Sequence, residues 1–508
     1  MTKSKVLAFS DLQDKIINLK KKKKKIVLCH GVFDLFHQGH IEHLIEAKKQ
    51  GNILIVTVTP DKYVNKGPGR PLFNVSNRLK HLASLEIVDY VSENQWSTAI
   101  ETIKLIKPDI YVKGPDYKKN INDETKNIVK ERNIIKKIGG KIYYTKGETL
   151  SSSKLINANT KFHSKEESKF INIIKKNYNY KDIEKIINKF SKLNVLLIGE
   201  SIIDQYIFSD AIGKSSKEPV LVVQEKFDRK YIGGILSVAQ LISNFANKVT
   251  IITFVGKNKD DIEFIKKNLN KNISFKFLTK KNSPTITKTR IIDNYSKRNL
   301  LGLYKFNNNS ISTIEENNFL KLINKEEKKN NQILFSDFGH GVITKKIANK
   351  FSNISNFTSL NVQLNSSNQN SLGISKYKKT KVLIINIGEL KREIRDNDLD
   401  VLSLGKKLKK KIDCNLLIVT MGSAGSYLVN FKNNKTTFCP AFAKKIIDRV
   451  GAGDAMHSIV SMCLKNKVEA DLSLFISSLA AAHSVENIGN SNIMDKKILL
   501  RSVKYLLK

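Results

Sequence analysis

At 508 residues, with 41% hydrophobic residues, the chain is too long for one ordinary core and apolar enough to fill two or three. Its longest apolar runs, such as VLLIG at 195–199 and KVLIIN at 381–386, are strand-length and far short of the roughly 20 residues that cross a bilayer, so no membrane partner is expected. The formal charge of +41 comes from lysines spread over both halves without an aromatic-lined basic stripe, which reads as a bias in composition and argues against nucleic acid as a functional partner.

In chain order, the first stretch alternates strand and helix. Strands are expected at 26–30, 53–59, 87–91, 110–114 and 141–145, with helices at about 40–49, 76–84, 98–106 and 122–137. Near-continuous apolar strands between amphipathic helices predict a parallel sheet covered on both faces, closing near residue 160. Residues 161–192 are polar and read as a helical connector. A second α/β unit begins at NVLLIGE, 194–200, and then makes a β-rich excursion through DQYIFSD and EPVLVVQEK that predicts a small sheet over a sugar site. Further strands are expected at VTIITFVG, ILFSD, KVLIIN and NLLIVT, and a helical region from Gly453 onward. The organisation is therefore 1–160, a connector at 161–192, and 193–508.

Two segments carry chemistry. In CHGVFDLFHQGHIEHL, Cys29–Leu44, a buried strand hands over to a helix through a glycine-containing loop, the geometry that aims helix-end amides at an anion. His37 and His40 bracket Gly39, so one imidazole lies in the loop and the other in the first turn. Both can donate to oxygens that gain charge in a phosphoryl-type transition state. In IIDRVGAGDAMHS, Gly451 and Gly453 precede a helix and expose backbone N–H groups to a transferring phosphoryl, while Asp454 can take the proton of an attacking hydroxyl.

Gly31, Phe33, Asp34, His37, Gly39 and His40 resemble the signature of the cytidylyltransferase-like nucleotidyltransferases, and the stretches GPGRPLFNVSNRL (67–79), YVKGPDY (111–117) and TLSSSKLI (149–156) resemble later segments of the heptose-1-phosphate members. The resemblance implies a Rossmann-like fold and attack of a substrate phosphate on the α-phosphate of a nucleoside triphosphate. It gives His37 and His40 to the departing phosphates, and Lys66, Arg70 and Arg78 to phosphate clamping. Lys113 goes to the acceptor phosphate, Ser151, Ser152 and Ser153 to the nucleotide, and Asp34 to loop order or magnesium. The second half is similar to PfkB ribokinase-like sugar kinases through GESIIDQYIF, YIGGILSVA, PTITKTRII, SDFGHGVI, NIGE and VTMGSAGS. That implies an α/β/α sandwich with a small β lid. Asp204, Gly233, Gly234, Lys288 and Arg290 would face the sugar or its phosphate. Asn386 and Glu389 would organise magnesium and phosphates, Thr420, Gly422 and Gly425 would line the ATP side, and Asp448 would support the anion site beside Asp454. Leu236 and Ser237 stand where the heptose kinases have an asparagine, 363–377 departs from the expected proline- and lysine-containing region, and the order of the two halves is reversed relative to the familiar fusion.

The combined reading is a bifunctional sugar-activating enzyme. A sugar or sugar phosphate is phosphorylated by ATP, a sugar 1-phosphate is joined to a nucleotide with release of pyrophosphate, and the product is ADP-heptose-like, with CTP as the alternative donor and Mg2+ as the ion. A homodimer is expected. The four cysteines, at 29, 414, 439 and 463, lack disulfide-framework and metal spacing, and no cleavable leader pattern is evident, so a reduced, cytoplasmic protein is expected. The rival readings keep the nucleotidyltransferase beside a non-catalytic sugar-binding kinase-like domain, or make the chain a basic nucleic-acid-associated protein.

Overall fold

The computed structural model describes residues 5–64, 70–117, 127–146, 164–363 and 373–507. The chain divides into two compact units, Met1–Ser164 and Lys165–Lys508. In the first, β1 (Ile26–Gly31), β2 (Ile53–Val58), β3 (Tyr90–Glu93), β4 (Ile110–Lys113) and β5 (Lys141–Tyr144) form one parallel sheet in the order β3-β2-β1-β4-β5. Alternate residues of β1 serve opposite faces, as strand geometry requires: Val27 and Cys29 join one buried cluster, Ile26 and Leu28 the other. Strand order reverses between β1 and β4, and the carboxyl ends of that pair are where an open parallel sheet receives its ligand.

β3 begins three residues later than the apolar run 87–91 suggests. Leu85 accepts from the Val88 amide in a turn, and Val88 reaches the core from that turn before Tyr90 pairs with Ile55.

The second unit opens with helices Lys165–Asn177 and Tyr180–Lys189. Phe170, Ile171, Ile174, Ile183 and Ile187 from these helices join the main core, so the stretch read as a connector packs, from Lys165 on, as part of this unit. There follow β6 (Asn194–Gly199), the long pair β7 (Ser201–Lys214) and β8 (Leu221–Gly234), then β9 (Lys248–Val255), β10 (Ile273–Thr279), β11 (Ile286–Asp293) and β12 (Asn299–Lys305). The last strands are β13 (Gln332–Asp337), β14 (Phe357–Val362), β15 (Lys379–Asn386), β16 (Asp413–Thr420), β17 (Ser426–Asn430) and β18 (Lys435–Cys439).

Nine strands make the main sheet, β10-β9-β6-β13-β14-β15-β16-β17-β18, parallel through β16, with β17 antiparallel to both β16 and β18. Helices cover both faces, and β6 again alternates, with Val195 and Leu197 on one side and Leu196 and Ile198 on the other. β12-β11-β7-β8 form a separate four-stranded sheet, the expected small β lid. Order reverses between β6 and β13, and they lie so close that a Cβ on Gly199 would sit 2.2 Å from the Ser336 carbonyl oxygen.

Candidate active sites

In the first unit, the helix Gln38–Lys48 starts directly after the β1 loop, with His37 as its extended N-cap residue. The His37 carbonyl accepts from the His40 amide at 2.9 Å, and this tight first turn stacks the two imidazoles with centroids 4.0 Å apart. Phe33, in the left-handed region at φ 49°, packs its ring 5.3 Å from His40, and Gly31 leaves room for that ring, because a Cβ there would lie 3.0 Å from it.

Asp34 is fully buried and orders the loop. It pairs with Arg70 Nε and accepts from the Phe73 amide at 3.1 Å. Arg70 consequently presents two buried guanidinium nitrogens with no hydrogen-bond partner among the described residues, a donor fork suited to phosphate oxygens.

Arg78 corrects the sequence reading. Its side chain is fully buried and donates to the carbonyls of Phe73 (2.9 Å), Val32 (2.5 Å) and Thr59 (2.8 Å) and to Asp61 (2.5 Å). With four of its five N–H donors taken inside the protein, it ties the β1 loop to the end of β2. Lys113, at the end of β4, lies 3.2 Å from Glu131, between the rings of Tyr111 and Tyr117. Glu131 also accepts from the Tyr111 hydroxyl, so Lys113 is held rather than free to sweep the cleft. Lys66 and Ser151–Ser153 lie outside the described residues.

Two histidines of the same segment were not singled out in the sequence. His30 lies between the hydroxyls of Thr57 (3.0 Å) and Thr59 (3.3 Å), and His43 meets Thr145 at 3.1 Å. Burial, reinforced by the charge of Lys113, pushes them down to about 3 and about 4 respectively, so both are neutral and serve as fixed supports around the site. Four histidines within fourteen residues were the available signal.

In the second unit the helix Ala452–Lys465 begins behind Gly451, whose φ of 84° suits glycine, and Asp454 lies in its first turn. Gln363 Nε2, just past β14, donates to Asp454 Oδ1 at 3.1 Å; this amide was missed in the sequence because it opens an Asn- and Gln-rich stretch that reads as loop. Protein surrounds most of the Asp454 carboxyl, and that desolvation, with the charge of Asp204 added, pushes it up to about 7.

The lid supplies the opposite wall. Asp204 on β7 is in register with Lys288 on β11, and Arg290 Nη1 donates to Asp204 at 2.7 Å. Lys288 is lowered by burial, while Asp204 and then Asp454 act to raise it. Gly233 is obligatory: a Cβ would fall 2.0 Å from Asp204 Oδ2. Gly234 (φ 56°) caps the helix Ile235–Ser243, with a would-be Cβ 2.6 Å from the Glu200 carbonyl oxygen. Where an asparagine was expected, Leu236 is in the core and the Ser237 hydroxyl donates back to the Gly234 carbonyl.

Asp448 accepts from the Tyr206 hydroxyl (2.7 Å), the Val450 amide (3.0 Å) and the Gly489 amide (2.9 Å), tying the glycine loop to the lid. On the nucleotide side, Asn386 and Thr420 are in register at the carboxyl ends of β15 and β16. Gly422 (φ 58°) and Gly425 (φ 104°) shape the turn that follows. Asn386 and Glu389 have a structural task at this position. These two side chains form a capping box, Asn386 accepting from the Gly388 amide and Glu389 from the Asn386 amide, both at 2.9 Å. Among the described residues no group of three or more His, Cys, Asp or Glu side chains is placed to hold a metal ion. A magnesium ion here would ride mainly on nucleotide phosphates, as this ion commonly does.

A β-lidded α/β/α kinase fold with a glycine loop and an aspartate at the helix start defines a carbohydrate kinase, and a second nucleotide-type site accompanies it on a Rossmann-like unit. Residues 192–497 match the pfkB family carbohydrate kinase model, and the chain belongs to that family. Residues 28–158 match the cytidylyltransferase-like model. The two matches make the chain an enzyme that joins a kinase unit to a nucleotidyltransferase-type unit.

Among curated relatives, a bifunctional protein HldE from Koribacter versatilis is 25% identical over 62% of this chain and 64% of its own length. One from Aliarcobacter butzleri is 27% identical over 59% and 62%. A third, from Nitratiruptor, reaches 48% identity over 20% and 22%. The chain thus spans less than two thirds of the length of the curated relatives it matches. Among solved structures, phosphofructokinase-2 from Escherichia coli in complex with potassium shares the kinase fold, with a TM-score of 0.50 at 13% identity over 63% of this chain and 100% of that one. No helix among the described residues is long and apolar enough to cross a membrane.

Proposed function

We propose that the chain activates a sugar in two reactions. In the pfkB unit, Asp454 takes the proton from a sugar hydroxyl as that oxygen attacks the γ-phosphoryl of ATP. The amides at Gly451–Gly453 receive the transferring oxygens, and Asp204, Lys288 and Arg290 hold the sugar or a phosphate it already bears. In the first unit a sugar 1-phosphate, steered by Lys113, attacks the α-phosphate of ATP or CTP. His37, His40 and the free fork of Arg70 neutralise the leaving pyrophosphate. The anomeric hydroxyl is the acceptor that links the two steps, and an ADP-heptose-like product follows from the resemblance of the first unit's segments to the heptose-1-phosphate nucleotidyltransferases.

The observation that carries this reading is Asp454. It is a carboxyl raised to about 7, at the start of a helix, behind two glycines and facing a cationic lid. A base poised near the working pH is the arrangement proton transfer favours.

The enzyme works as a cytoplasmic homodimer. Support for pairing comes from the lid, where Ile212, Val220, Leu221, Leu301 and Leu303 are more than half or about half exposed, at 68%, 50%, 56%, 60% and 64%. Such a concentration of exposed apolar strand residues marks an interaction surface.

The test is incubation of purified protein and magnesium with ATP or CTP and a panel of heptose 7-phosphates, hexoses and sugar 1-phosphates, with products identified by mass spectrometry. A phosphorylated sugar and a nucleotide-sugar are expected. Nucleotide-sugar alone would leave the kinase unit as a sugar-binding partner.

A further inference from the structure

Away from the Asp454 site, the second unit carries an open cleft of about 630 Å³ at the amino-terminal ends of β6, β13 and β14, the opposite edge of the sheet from Asp454. The helix Ala452–Lys465 connects the two edges. It starts at the glycine loop and ends in the cleft, a rise of about 16 Å between Asp454 and Lys465.

Five lysines line the cleft, Lys328, Lys329, Lys381, Lys465 and Lys467, and no carboxylate does. Several half-buried lysines elsewhere in this unit are matched, Lys276 with Glu326, Lys350 with Glu327, Lys376 with Asp337 and Lys444 with Glu167. Among the described residues, only Lys329 of these five has an acidic partner, Glu326 at 3.0 Å, a residue outside the lining. Lys381 reaches no anion and donates to the Ser355 carbonyl at 3.1 Å. Lys465 is held over the Phe357 ring at 5.9 Å, and its affinity for a proton is lowered by burial and then by the charge of Lys381.

Two helices, Thr313–Glu327 and Ala452–Lys465, end at this cleft, and each brings about half a negative charge. Together that is about one negative charge against the four lysines other than Lys329, so the cleft is left positive. Its size lies within the roughly 300–1,000 Å³ of small-molecule sites. The lysines converge on a concavity rather than running along a stripe, which fits a compact ligand better than a polymer.

We infer that this cleft is a further anion site of the second unit, separate from its Asp454 centre, for a compact oligophosphate of pyrophosphate size. Lys381 and Lys465 contact the phosphates from the floor, Lys328 and Lys467 close over them from the rim, and Phe357 forms the wall.

The test is calorimetric titration of the full chain with inorganic pyrophosphate, comparing wild type with Lys381→Gln/Lys465→Gln. One class of pyrophosphate sites should weaken by about tenfold or more, the scale expected when charged partners of an anion are removed, while the KM for ATP in the kinase reaction changes by less than about twofold. Lys328→Glu/Lys467→Glu, confined to exposed rim positions, should weaken the same class and covers the case in which the floor variant does not fold. Superimposable isotherms for wild type and both variants would overturn the site. So would a single-stranded DNA oligomer that displaces the pyrophosphate and loses affinity in the same variants, because that marks a general polyanion patch.

Discussion

The two catalytic centres are built in opposite ways. The first is largely local: His30, His37, His40 and His43 come from one strand, loop and helix, with Lys113 and Arg70 brought alongside by neighbouring strands and loops. The second is assembled at long range, since Asp204 on the lid and Asp454 at a helix start are 250 positions apart and meet only because β7 and β11 fold over the sheet edge. A local site is announced by its motif. A long-range site is announced by its pieces, and its electrostatics emerge only when they are together, as when Asp204 helps raise Asp454.

This contrast can be broken at several points. The largest effect is expected for Asp454→Asn, which removes the proposed base and should lower kinase turnover by about 10²–10⁴-fold, read as ADP release, with pyrophosphate release unchanged. Next is His40→Ala, which removes a transition-state donor and should lower pyrophosphate release by about 10²–10³-fold, with ADP release unchanged. Either loss spreading to both products in a folded protein would contradict two separate sites.

Arg78→Ala separates positioning from binding. It strands the carbonyls of Val32, Phe73 and Thr59 in a buried loop and should cost about 2–4 kcal/mol in urea unfolding of the first unit. A rise in the KM for nucleotide without loss of stability would restore the phosphate role. Gly233→Ala pushes a methyl into Asp204, and should cost about 1–3 kcal/mol of stability and raise the sugar KM more than the ATP KM.

The smallest effect is a shift in pH dependence. The carboxylate of Asp454 is the active form, so kinase kcat/KM should rise as pH climbs through about 7. Asp204→Asn removes a negative neighbour and should move that midpoint to lower pH, even though overall activity falls with the sugar contact. Because the folded carboxyl holds its proton more tightly than an unfolded aspartate, this group favours folding at acid pH, and that contribution is lost as pH rises through about 7.

The parallel sheets and the β lid were legible because apolar strand runs alternate with helical periodicity, and because the stretch after β6 turns polar and β-rich. The histidine pair and the glycine-aspartate loop were legible as motifs. The roles of Arg78 and of Asn386 with Glu389 were not. A sequence shows a cation or a carboxylate near a phosphate motif, whereas its orientation is decided by unsatisfied backbone groups nearby, three carbonyls for Arg78 and a helix start for the Asn386–Glu389 pair. Gln363 was hidden for a related reason, since its amide matters only because the end of β14 lies beside the helix that carries Asp454.

The central claim is that one chain runs two phosphate-transfer reactions. It is tested most directly by a phosphorus NMR time course of wild-type protein with magnesium, ATP, and the sugar and sugar 1-phosphate chosen from the product screen. ADP and pyrophosphate signals should both grow, each abolished by the variant of its own site. Growth of pyrophosphate alone, with the kinase unit folded and sugar-bound, would contradict it.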